Sequence, residues 1–131
     1  MLYLDTSALV KLVRVEAESD ALRVAVEDQS VICCELALTE LYRAVARYAD
    51  AEGRARVDLL LATIELLALD RSLLRRAGRM APEQLRSLDA IHVAAAMVLG
   101  GAVIALVTYD VRMAAAARHH GFDVWSPGVQ L

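Results

Sequence analysis

Two aspartates stand just past apolar runs: Asp5 after Met1-Leu2-Tyr3-Leu4, and Asp110 after Leu106-Val107-Thr108-Tyr109. Both also precede helical patterns, and aspartate is a favoured helix N-cap, so spacing alone leaves capping and chemistry equally open. Two further acids sit against apolar surroundings. Glu40 lies between Ala37 and Ala44 at helical spacing, at the margin of an apolar stripe, where a solvated residue paired with Arg43 or Arg47 is the plain alternative. Asp89 opens a helical pattern among Leu88, Ala90, Ile91, Val93 and Ala94, where an acid gains modestly from the helix dipole. Four carboxylates in one cleft repel one another unless a cation sits among them. Oxygen-only donors suit Mg²⁺ or Mn²⁺ rather than Zn²⁺. Such an ion activates water and neutralises charge on a phosphate during in-line displacement.

These acids need elements that bring them together. Short apolar runs at Met1-Leu4, Val31-Cys34 and Val103-Val107, and Ile64-Leu69 with one acid at Glu65, read as strands, with Val124-Trp125 as a terminal edge strand. Helical patterns alternate with them: from Ser7, over about Ser19 to Glu27, Glu35 to Tyr48, Arg54 to Thr63, Ser72 to Met80, Ser87 to Leu99 and Val111 to His120. Ser87 is the expected N-cap of its helix, Gly100-Gly101 its end, and Gly121 the stop of the last helix. This alternation predicts an α/β fold with a mostly parallel sheet of about five strands, covered by helices on both faces. In such a sheet, ligands bind beyond the carboxyl ends of the strands, where Asp5 and Asp110 fall. No repeat or linker divides the chain, so one domain over residues 1–131 is expected.

Composition narrows the classes. The 131 residues are 58% hydrophobic and 24% charged, which excludes a disordered chain. Net charge is −3, so no bulk field holds nucleic acid. Thirteen of the 14 basic residues are Arg and only Lys11 is Lys, and Arg suits phosphate contacts. Cys33 and Cys34 are adjacent, a poor geometry for a disulfide and too few thiols for a structural zinc site by themselves. They are expected to pack as buried thiols beside the second strand. The longest apolar run, Val93 to Val107, is 15 residues, too short to span a bilayer, and the N-terminus carries no basic leader. A soluble cytoplasmic protein is expected.

Four blocks, in order and at fitting lengths, resemble PIN domains, particularly the VapC toxins of type II toxin–antitoxin systems. Leu4-Asp5-Thr6-Ser7-Ala8-Leu9-Val10-Lys11-Leu12 resembles the opening strand and helix, and Thr39-Glu40-Leu41 the second block. Ser87-Leu88-Asp89-Ala90-Ile91-His92-Val93-Ala94-Ala95-Ala96 resembles the third, and Val107-Thr108-Tyr109-Asp110-Val111-Arg112-Met113 the fourth. The resemblance implies a PIN-like, Rossmann-like three-layer sandwich and a Mg²⁺-dependent endoribonuclease, with Mn²⁺ able to substitute. It places the catalytic and metal-binding site on Asp5, Glu40, Asp89 and Asp110, some ligating through water. Ser7 and Thr108 match hydroxyl positions that orient water or carboxylates. It further implies products with a 5′-phosphate and a 3′-hydroxyl, and neutralisation by a cognate VapB-type antitoxin.

Other residues have plainer readings. Arg71, Arg75, Arg76, Arg79 and Arg86 form either a solvated face or an RNA-backbone track beside the acids. His92 is read first as a partly buried helix residue, and His119-His120 as partners of a helix end. Phe122 and Trp125 read as core or dimer contacts. Apolar surface at Val57-Leu61 and Leu66-Leu67 points to a homodimer or an antitoxin groove, and so to a possible toxin–antitoxin hetero-oligomer. A non-catalytic PIN-like module binding RNA or protein is the competing function. A phosphotransfer receiver, with Asp70 as acceptor, fails for want of a late lysine. A haloacid-type phosphatase fails because Ser7 stands where its second acid belongs.

Overall fold

Five short runs, β1 (Leu2–Leu4), β2 (Val31–Cys34), β3 (Glu65–Leu67), β4 (Ala105–Val107) and β5 (Val124–Trp125), pair into one sheet. The computed structural model describes residues 1–48 and 51–131. Every pairing is parallel and the strand order is β3-β2-β1-β4-β5. β1 and β4 are buried throughout, which is why each reads as an uninterrupted apolar run rather than an alternating one. The expected mostly parallel sheet is all-parallel among the described residues.

Helices cover both faces. α1 (Thr6–Val13), α2 (Ser19–Val26), α3 (Ala37–Ala46) and α4 (Gly53–Thr63) pack together as one layer. α5 (Arg71–Gly78), α6 (Ser87–Leu99) and α7 (Val111–His119) form the other. α6 is the central helix of its layer: Ala90, His92, Val93, Ala94, Ala95 and Ala96 are all buried, and the alanines let it approach the sheet closely.

Several boundaries differ from the sequence reading. α3 begins at Ala37 because Glu35 belongs to the sheet edge: its N–H donates to the Leu67 carbonyl and its carboxylate accepts from the Leu69 N–H. Ser87 is not a cap. Arg86 holds the extended cap position and Ser87 is already helical. Gly121, with φ of 85°, follows the α7 cap residue His120 in a left-handed conformation that favours glycine. Asp70 caps α5 through the Leu73 N–H, which accounts for that acid without phosphotransfer. In the apolar α4 stretch, Val57 is buried, whereas Leu59 is 70% exposed. Phe122 packs against the core, and Trp125 is partly exposed at the sheet edge.

Candidate active site

The strand order reverses between β1 and β4, so the chain leaves these neighbours toward opposite faces and opens a crevice beyond their carboxyl ends. Asp5 directly follows β1, and Asp110 follows β4 by three residues. Both are also the N-caps of the helices they precede. Asp5 accepts from the Ala8 N–H at 3.1 Å, and Asp110 Oδ1 accepts from the Arg112 and Met113 N–H groups at 2.7 and 3.0 Å. Capping and chemistry are therefore compatible: the helix start fixes one oxygen of Asp110, and Oδ2 takes no hydrogen bond among the described residues.

Two hydroxyls fasten these ends together. Ser7 Oγ donates to Asp5 Oδ1 and Thr108 Oγ1 donates to Asp5 Oδ2, each at 2.6 Å. Thr108 Oγ1 also accepts from the Asp110 N–H at 3.1 Å, and Ser7 Oγ from the Tyr109 N–H at 2.9 Å. The fully buried Thr108 thus touches both aspartates that close the switch point. Burial pushes the Asp5 carboxyl above its ordinary value, against the pull of His92 and of its hydrogen bonds from Ser7, Thr108 and Ala8.

Asp89, in the first turn of α6, faces the same crevice. Burial raises its carboxyl, and the charges of Asp110 and Asp5 raise it further, against His92 and Arg86. Three of the acids are therefore in electrostatic contact across the cleft. Glu40 reaches them from α3 through a separate chain of contacts. Thr6 Oγ1 donates to Glu40 Oε1 at 2.6 Å, and His92 Nε2 donates to the same oxygen at 2.7 Å. Burial pushes Glu40 up, but these two donors outweigh it and leave the carboxyl below its ordinary value. On the far side of the imidazole, Tyr3 Oη lies 2.8 Å from His92 Nδ1.

Glu40 is thus no solvated flank residue paired with Arg43 or Arg47. His92, read first as a partly buried helix residue, is 2% exposed and anchors Glu40. Thr6 and Tyr3 had no sequence reading at all. The signal for His92 was its position three residues after Asp89, on the same face of the helix.

The donor types suit a hard divalent cation: all are carboxylates, Asp110 Oδ2 and Glu40 Oε2 are free of hydrogen bonds among the described residues, and Asp89 is raised by Asp110 and Asp5. Beside Asp89 opens a cleft of about 640 Å³, walled by Leu85, Ala116 and the guanidinium-bearing Arg86 and Arg112. Arg75, Arg76 and Arg79 lie elsewhere. They line a groove with Met97 and His120, and Met97 is eight residues along α6 from Asp89, about 12 Å. Arg71 is exposed at the first turn of α5.

Comparison with known proteins agrees with this architecture. The PIN domain family model matches residues 2–121. Ribonuclease VapC47 of Mycobacterium tuberculosis (strain CDC 1551 / Oshkosh) is 40% identical over 133 residues, covering 98% of each chain. Ribonuclease VapC35 of Mycobacterium tuberculosis (strain ATCC 25618 / H37Rv) is 41% identical over 133 residues, again with 98% of each covered. Among solved structures, Mycobacterium tuberculosis VapC20, a sarcin–ricin loop cleaving toxin, superposes with a TM-score of 0.72 at 16% identity, covering 93% of this chain and 96% of its own. PAE2754 from Pyrobaculum aerophilum gives 0.60 at 21% identity over 94% and 81%. The chain belongs to the PIN domain family and is of the VapC type.

Proposed function

We propose that this protein is a Mg²⁺-dependent endoribonuclease, the toxin of a type II toxin–antitoxin pair, hydrolysing RNA phosphodiester bonds at Asp5, Glu40, Asp89 and Asp110. The observation that carries the proposal is the joining of Asp5 and Asp110 through Thr108 at the β1–β4 switch point, with Asp89 near enough for their charges to raise its carboxyl. Such crowding of like charge is costly unless a cation compensates it. Full-length relatives named as ribonucleases supply the reaction class.

Asp5 and Asp110 at the strand ends, with Asp89 and Glu40, would hold the metal. Bound Mg²⁺, or Mn²⁺ in its place, lowers the proton affinity of water and neutralises phosphate charge. The chain's own groups do the rest. Ser7 and Thr108 favour the ionised form of Asp5 against its burial and aim it by donating to both its oxygens. His92 and Thr6 keep Glu40 ionised and turned toward the cleft, where Oε2 can accept a proton from water. Arg86 and Arg112 bind the RNA backbone beside Asp89, and Arg71, Arg75, Arg76 and Arg79 extend the basic surface along α5.

A VapB-type antitoxin neutralises the enzyme, and the exposed Leu59 on α4 belongs to a homodimer or antitoxin contact. Replacement of Asp5 by Asn tests the reading. Cleavage of RNA should fall by at least a thousandfold, with circular dichroism unchanged, and EDTA should abolish the native activity. Full activity in a rigorously RNase-free Asp5→Asn preparation would mean that the acids are structural and the chain a non-catalytic module.

A further inference from the structure

Behind the acidic cleft, three soft donor groups meet in the core. Cys33 and Cys34 are successive residues of β2, and His92 comes from α6; their exposures are 0%, 0% and 2%. Both sulfurs and the ring nitrogen lie within 4.8 Å of one another. His92 Nδ1 is 4.0 Å from Cys33 Sγ and 3.8 Å from Cys34 Sγ. With metal–sulfur and metal–nitrogen bonds of about 2.3 and 2.0–2.1 Å, a tetrahedral zinc site places sulfur and nitrogen roughly 3.5 Å apart. Both sulfur–nitrogen separations are thus within about 0.5 Å of what a bound ion requires.

The fourth side of the cluster is also polar. Tyr3 Oη lies 2.8 Å from Nδ1, close enough to complete four-coordination. The opposite ring nitrogen, Nε2, donates to Glu40 at 2.7 Å. A carboxylate on the outer nitrogen fixes the tautomer and raises the basicity of the inner one, an arrangement typical of metal-bound histidine. Ordinary sulfur packing accounts for burial of the thiols, but not for two successive thiols both reaching the same ring nitrogen. Nuclease chemistry on the four acids makes no use of either sulfur.

We propose that Cys33, Cys34 and His92 bind one thiophilic divalent cation of the Zn²⁺ and Cd²⁺ class, at a site distinct from the acidic cleft. On binding, both sulfurs bind as thiolates and His92 binds through its Nδ1 lone pair, and the two protons the cluster carries beyond that state leave to solvent. Two thiolates and one divalent ion sum to zero charge, which suits a site this deeply buried. Mg²⁺ is excluded because it prefers oxygen donors. The two sites share a direct hydrogen bond at Glu40, which supports His92 from the outside.

Titration of the reduced, metal-stripped full chain with Cd²⁺ tests this, followed by the ultraviolet thiolate-to-cadmium charge-transfer band and by proton release. One equivalent should saturate the band and release two protons. X-ray absorption at the cadmium edge should find two sulfur neighbours and at least one nitrogen. Cys33→Ala and Cys34→Ala should each weaken binding at least tenfold, whereas Asp5→Asn should leave it unchanged. A first shell of oxygen alone, or a band that fills with two independent equivalents, overturns the site without any variant. A saturable band in the Cys33→Ala, Cys34→Ala double variant overturns it as well. RNA cleavage with Mg²⁺ is assayed separately, so failure of one reading leaves the other standing.

Discussion

Asp5 shows how one carboxylate serves two purposes. It caps α1 through the Ala8 N–H while Ser7 donates to the same oxygen and Thr108 to the other, which keeps a lone pair. Thr108 is the more exacting partner, because it is fully buried and also accepts from the Asp110 N–H. Thr108→Val keeps the shape and removes the hydroxyl. It should lower cleavage roughly 10- to 100-fold, as loss of a ligand's supporting hydrogen bond does. It should also cost about 1–3 kcal/mol of stability, read by denaturant unfolding, since a buried acceptor loses its donor. Asp89 behaves oppositely. Its carboxyl is raised from 3.8 by burial, then by Asp110 and Asp5. A raised acid favours the fold below its unfolded value, and that stability is lost as pH climbs through the folded value. In metal-free buffer, Asp89→Asn should therefore raise Tm at pH 7 and flatten its fall above pH 4, even as cleavage disappears. A lower Tm would show that Asp89 is a structural partner and not a strained member of the site.

At the scale of elements, a buried cation and a buried hydroxyl join α1 to α2, Ser19 Oγ donating to the Lys11 carbonyl at 2.7 Å. Lys11 is 8% exposed and reaches Glu16 and Glu18 at 2.8 and 2.7 Å, with the Tyr109 ring 4.6 Å from its ammonium. The hydrogen bond from Lys11 holds Glu18 below its ordinary value. A depressed acid contributes stability above its unfolded pKa and loses it as pH falls through the folded one. Lys11→Met should thus destabilise the chain by about 2 kcal/mol at pH 7, in the range of charged hydrogen bonds. It should also weaken the acid limb of a pH-dependent melting series. Equal loss at pH 3 and pH 7 would assign the effect to packing alone. Elements with strong periodicity or an uninterrupted apolar run were legible from the residues, including β1, β4 and α6. Their ends were less so. Glu35 is bound to β3 by contacts 32 and 34 residues away, and no local pattern announces that. Ser87 has the chemistry of a cap, yet the backbone turn comes one residue earlier, at Arg86.

For the whole molecule, charge is a matter of place. Without the four acids of the proposed site, 14 basic residues face 13 acidic ones. Binding of a cleavage-resistant RNA analogue should therefore be weak in EDTA and strengthen with Mg²⁺, measured by fluorescence anisotropy. Arg86→Ala should weaken it more than Arg79→Ala, because Arg86 walls the cleft beside Asp89 whereas Arg79 lines the groove near Met97 and His120. Equal effects would make the basic track continuous along α5. By itself the sequence determined the α/β alternation and the parallel sheet and marked four candidate acids, because apolar runs, helical periods and acids at strand ends are local patterns. Only the tertiary structure decided that His92, Thr6 and Tyr3 support Glu40 and that Thr108 ties Asp5 to Asp110. It alone separated Arg86 from Arg75, Arg76 and Arg79. Those relations join residues up to 103 positions apart, and a hydrogen bond across strands or between helix layers leaves no mark in the spacing of either partner.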